Sequence, residues 1–122
     1  VTILTSMTED DVSEVGYKTS ALASAVSLAK VAILGGARAI VCSPLEITAV
    51  RAEIGTDPLI ITPGVRPHGM AGSDDQQRTM TPEDAISAGA NFVVIGRPIT
   101  QMWAKGANAM SEKAAEIGSR LI

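Results

Sequence analysis

Short apolar runs alternate along this chain with longer stretches whose apolar positions recur every three or four residues. The short runs cover residues 1–4, 39–42, 58–62 and 92–95, and each is closed by turn formers: Thr5-Ser6, Ser43-Pro44, Pro63-Gly64 and Gly96. Apolar runs of this length without alternation suit strands buried on both faces. The longer stretches predict helices. Thr8-Glu9-Asp10-Asp11 supplies a cap and an acidic first turn, with Val12 and Val15 as the apolar face and Gly16 as the stop. Residues 20–34 place Leu22, Val26, Ala29 and Ile33 at helical spacing before Gly35-Gly36. A helix over 44–53 opens on Pro44, turns Leu45, Val50 and Ile54 inward and stops at Gly55. Thr81-Pro82-Glu83-Asp84 starts another that ends near Gly89. The last, from about 107 to 121, faces Ala109, Met110, Ala114, Ile117 and Leu121 inward.

Strand then helix, repeated in this way, predicts an α/β fold with a parallel sheet and helical cover. Right-handed crossovers bring every strand's C-terminal end to one rim. That rim collects Thr5-Ser6, Ser43, Thr62-Pro63-Gly64-Val65-Arg66 and Gly96-Arg97. A glycine at a strand end permits close approach to the backbone, and an arginine beside it offers a planar fork of donors matched to phosphate. Gly96-Arg97 therefore reads as a phosphate seat, with a plain turn and a solvated arginine as the simpler alternative. Residues 67–81 form the longest unpatterned stretch, polar and glycine-bearing, of the kind that carries function more often than not.

The chain's 122 residues bound it to a single domain or part of one. A net charge of −3, without any run of Lys or Arg, argues against a nucleic-acid surface. Residues 21–37 are broken by Ser24, Ser27 and Lys30, too short and too polar for a membrane span. No basic lead precedes Val1, so no signal peptide is expected, and a start inside a strand suggests a piece of something longer. The single cysteine, Cys42, lies in an apolar run and reads as a buried small hydrophobe rather than a nucleophile. These features fit a cytoplasmic chain. His68 stands alone, Tyr17 and Trp103 are isolated aromatics, and no spacing of metal ligands is present. Neither a metal nor a cofactor is expected.

Five segments together resemble the C-terminal half of the orotidine 5′-phosphate decarboxylase family. They are Val1-Thr2-Ile3-Leu4-Thr5-Ser6-Met7, Ile40-Val41-Cys42-Ser43, Thr62-Pro63-Gly64-Val65-Arg66-Pro67, Asp75-Gln76-Gln77-Arg78-Thr79-Met80-Thr81-Pro82 and Val94-Ile95-Gly96-Arg97-Pro98-Ile99-Thr100. The resemblance spans nearly the whole chain in the family's order. It implies a (βα)4 half of a TIM-type (βα)8 barrel, as one domain over residues 1–122, and an orotidine or uridine monophosphate ligand (OMP or UMP). It further implies that Thr5 contacts the pyrimidine end and that Pro63, with Gly64, lines the base pocket. Arg66 and Gln76 match substrate-binding positions, and Gly96 and Arg97 match the phosphate-gripping pair.

The same resemblance marks what this sequence lacks. The family's catalytic array is an Asp and Lys network built on an Asp-x-Lys-x-x-Asp motif. Here the four lysines, Lys18, Lys30, Lys105 and Lys113, stand in no such motif, so no catalytic residue is assigned. The expected function is the gripping half of an enzyme converting OMP to UMP and CO2, inactive alone. The alternatives are a non-catalytic phosphate-binding half-barrel that self-associates, and a relative acting on sugar phosphates. Four βα units do not close a barrel. A second copy of the chain, as a homodimer, or a separate N-terminal half is therefore expected to cover the inner sheet face.

Overall fold

A computed structural model describes residues 1–67 and 78–121. Strands β1 (Ala39–Val41), β2 (Leu59–Thr62) and β3 (Phe92–Val93) form one parallel sheet in that order. Helices α1 (Glu9–Glu14), α2 (Ala21–Leu34), α3 (Ile47–Ile54), α4 (Pro82–Ser87), α5 (Arg97–Thr100) and α6 (Ala107–Gly118) make up the rest, with short 3-10 turns at Pro44–Glu46 and Gln101–Lys105. The α/β architecture with parallel strands agrees with the pattern of the sequence. The starts of α1 and α4 do as well. Thr8 and Asp11 cap each other reciprocally, and Thr81 accepts the backbone N–H of Asp84, with Pro82 at the first turn. Gly55, at φ 77°, ends α3 in the left-handed region that a side chain would resist.

The first predicted strand is not one. Residues 1–4 run beside β1, but both the backbone N–H and the hydroxyl of Thr2 donate to the same acceptor, the Val41 carbonyl, each at 2.9 Å. A ladder needs bonds spread along two strands, and one shared carbonyl does not extend. Ile3 turns instead into a small cluster with Val12, Ala21 and Ala25. Strand β3 is also shorter than the run 92–95, although Val94 continues the ladder with a 2.9 Å bond to the Thr62 carbonyl.

Cross-strand partners in a parallel ladder point the same way. Ile40, Ile60, Thr62 and Val93 consequently share one face, and Val41, Leu59, Ile61 and Phe92 share the other. The first face is the core. Ile40, Ile60 and Cys42 pack with Ala29 of α2, Ile47 and Val50 of α3, Val65, Ala85 of α4 and Ala90. The second face stays open, with Phe92 57% and Val94 51% exposed. The strands are thus apolar on both sides but buried on one.

The helices bury narrower stripes than their apolar spacing suggests. In α2, Val26, Ala29 and Ile33 pack on the main core, whereas Leu22 is exposed. The fully buried stripe is Ala21, Ser24, Ala25 and Ala29, small residues that bring the helix close and leave the bulkier Leu22 outside. Val15, Leu45 and Ala114 likewise face outward, each at the edge of a stripe that needs only its central residues, Val12, Val50 and Ile117. No helix among the described residues is long and apolar enough to cross a membrane.

The two faces should respond differently to truncation. Ile60→Ala is expected to cost about 2–5 kcal/mol in denaturant unfolding, as a large-to-small change in a packed core does. Phe92→Ser on the open face should move stability by only about 0.5 kcal/mol, the scale of surface substitutions. Equal losses from the two variants would refute the assignment of faces.

Candidate functional site

The parallel sheet sets the C-terminal ends of β1, β2 and β3 along one edge, and the loops that leave them carry the polar residues. After β1 come Ser43 and the turn Pro44–Glu46. After β2 come Pro63, Gly64, Val65 and Arg66, with Gly64 at φ 76° reversing the backbone. After β3, Gly96 caps the short α5, its carbonyl accepting the N–H groups of Ile99 at 2.9 Å and Thr100 at 3.0 Å. Thr5 follows the segment that runs beside β1 and is buried.

Within this rim the predicted residues differ in setting. Thr5 and Arg66 are buried, each 7% exposed, and the Arg66 Nη1 donates to the Val65 carbonyl at 2.8 Å. Pro63 is half-buried, whereas Gly96 and Arg97 are exposed. A Cβ added to Gly96 would meet nothing within 4 Å, so open space lies against that backbone. Gln76 falls outside the described residues, as does His68.

Sequence reasoning passed over the most buried charge of the rim. Glu46 is fully buried; its Oε1 pairs with the Arg78 guanidinium, and its Oε2 accepts the Ser43 N–H at 3.0 Å. The second arm of Arg78 donates to the Leu4 carbonyl at 2.7 Å. Burial pushes the Glu46 carboxyl above its ordinary range, against the opposing pull of Arg78. One signal was available: a serine followed three residues later by a glutamate is the spacing of a capping box, and Ser43 and Glu46 have it.

A second arginine holds the opposite edge. Arg51 donates to the carbonyls of Gly55 at 2.9 Å, Pro58 at 2.7 Å and Gly89 at 2.8 Å, and to Asn91 Oδ1 at 2.9 Å. Asn91 Oδ1 also accepts the Ile60 N–H at 2.8 Å. This network ties the starts of β2 and β3 to the end of α3.

Cys42 sits at the end of β1 with its thiol pushed up to about 12, by burial first and then by the neighbouring charge of Glu46. Among the described residues, no three His, Cys, Asp or Glu side chains come together as metal ligands would. One surface hollow lies between Met102 and the outer face of α6, and another at Ala37, Arg38, Asp57 and Pro58, where β1 and β2 begin. Neither is on the rim.

Residues 1–111 match the model of the "Orotidine 5′-phosphate decarboxylase / HUMPS family". An orotidine 5′-phosphate decarboxylase of Thermobifida fusca is 50% identical over 117 residues, which is 96% of this chain and 49% of that protein. The decarboxylase of Trichlorobacter lovleyi is 52% identical over 101 residues, 83% of this chain and 42% of its own length. The crystal structure of orotidine 5′-phosphate decarboxylase from Lactobacillus acidophilus superposes with a TM-score of 0.76 at 32% identity, covering 98% of this chain and 46% of that one. The chain therefore spans about half the length of the relatives it matches.

The buried thiol makes a direct check. At pH 8 roughly one Cys42 in ten thousand is a thiolate when the pKa is about 12. Iodoacetamide should leave the folded chain unmodified for hours and alkylate it fully in denaturant. Rapid labelling of the folded chain would contradict the assigned environment.

Proposed function

Because the chain belongs to the orotidine 5′-phosphate decarboxylase / HUMPS family, we propose that it is the C-terminal, nucleotide-holding half of an orotidine 5′-phosphate decarboxylase. The observation that carries this reading is the match of residues 1–111, at about half the relatives' length, to the decarboxylase sequences. In this role Arg97 grips the phosphate of OMP with two parallel donors, and the open backbone at Gly96 lets the phosphate come close. Thr5, Pro63 and Arg66 line the pyrimidine end from the two neighbouring loops. The phosphate is remote from the carbon that loses CO2. Its binding energy is therefore available to hold the substrate in the geometry of the transition state.

The Asp and Lys side chains that act on the carboxylate come, on this reading, from a complementary N-terminal half. The four lysines here offer no substitute. Lys30 is engaged with Glu53 at 2.8 Å and Lys113 with Glu116 at 2.8 Å, both on outer helices. The open sheet face is the surface that such a half would cover. Burial is worth roughly 25 cal/mol per Å², so a few hundred Å² of Val41, Leu59, Ile61, Phe92 and Val94 carries several kcal/mol of association. A second copy of the chain is the other occupant of that face, and it would make a ligand-binding assembly without turnover. The expected place of action is the cytoplasm.

Mixing the chain with an N-terminal half bearing the Asp-x-Lys-x-x-Asp motif is expected to restore decarboxylation of OMP, followed by loss of orotate absorbance. Arg97→Ala in the mixture should reduce kcat/KM by at least about 100-fold, equivalent to roughly 2.7 kcal/mol of lost transition-state binding. No activity under any co-folding protocol, or an Arg97→Ala mixture as active as the parent, would overturn the reading.

A further inference from the structure

We propose that Glu46 is a positioning residue of the rim: through Arg78 it fixes residues 78–80 against Val65 and Arg66, and so fixes Arg66. The linkage is continuous. Glu46 is anchored at the end of β1 by the Ser43 N–H at 3.0 Å and holds the Arg78 guanidinium through its other oxygen. Arg78 also reaches the Leu4 carbonyl at 2.7 Å, one residue before Thr5. Two residues after Arg78, the Met80 carbonyl accepts the Arg66 N–H at 2.9 Å, and Val65 and Met80 form a parallel bridge. One carboxylate thus joins the loops that leave β1 and β2 to the N-terminal segment beside β1.

The physical reason to assign it such a role is its cost. A fully buried carboxylate must give up its hydration, and an ion pair in that setting does not stabilise more than apolar residues of the same shape would. What the pair supplies is geometry. An arginine can engage two acceptors at fixed angles, here Glu46 and the Leu4 carbonyl, which a lysine's single ammonium cannot reproduce. The other titratable groups that bear on Glu46 are Glu9, whose charge repels it, and the neutral thiol of Cys42 beside it. Because burial holds the folded-state pKa of Glu46 above its ordinary value, its protonation in acid removes no global stability through this group. The consequence for ligand binding rests on the function proposed above, whereas the linkage itself does not.

Amide hydrogen exchange on the ligand-free chain tests the linkage. In Glu46→Gln the Arg66 amide is expected to exchange about tenfold faster than in the parent, while the Leu59 amide, bonded to the Arg38 carbonyl at the far edge, keeps its rate. Arg78→Lys, a milder change, should also accelerate Arg66 selectively, and it decides the matter if Glu46→Gln does not fold. An unchanged Arg66 rate, or an equal rise at Leu59, would overturn the proposal. Exchange is followed without any ligand, so the result holds for the linkage even if the decarboxylase reading fails.

Discussion

The strands of this parallel sheet are apolar on both faces, as strands of parallel sheets are, yet the connections among the described residues cover only one. Here α2, α3 and α4 cover the face of Ile40, Ile60 and Val93, and nothing of that kind among the described residues lies over Leu59, Phe92 and Val94. That asymmetry governs the rest. It makes the covered side a tightly filled core of small aliphatic residues, and it leaves the open side an exposed apolar surface. The relation to relatives about twice as long has the same form, since half of a closed barrel has an outside and an unfinished inside.

The two edges of the sheet are held by different chemistry. At the starts of the strands Arg51 works as a multi-dentate donor to three main-chain carbonyls and the Asn91 side chain, an arrangement with no carboxylate in it. At the ends of the strands the equivalent joint is ionic, between Glu46 and Arg78, and it includes a charge that burial disfavours. Such a difference is intelligible if one edge needs only to be stable and the other needs its loops in fixed relative positions. Cys42, between them in the core, contributes volume and no reactivity.

Much of this was legible in the chain itself. Caps at Thr8 and Thr81, stops at Gly55 and Gly35, and the strand-helix alternation all follow from local chemistry, so they survive in the fold. Misreadings occurred where long-range packing decides. Residues 1–4 have a strand's composition, but Thr2 spends both donors on one carbonyl, and no local pattern reveals that. Leu22 has core spacing, yet the alanine stripe beside it wins because it allows closer approach. The rim was visible as a gathering of loops. The ion pair that joins those loops spans 32 residues and could not be read from either end.

The Arg51 network has a consequence for how this scaffold can change. Its acceptors are carbonyl oxygens, which every amino acid supplies, apart from one side chain at Asn91. Sequence drift at Thr56, Asp57 and Pro58 therefore leaves the joint intact so long as the main chain keeps its path, whereas Gly55 and Gly89, at φ 77° and 113°, hold backbone that a side chain would resist. The loops at the other end are then free to be rewritten for a different substrate while the strands stay aligned, which is how one architecture comes to host unrelated chemistries.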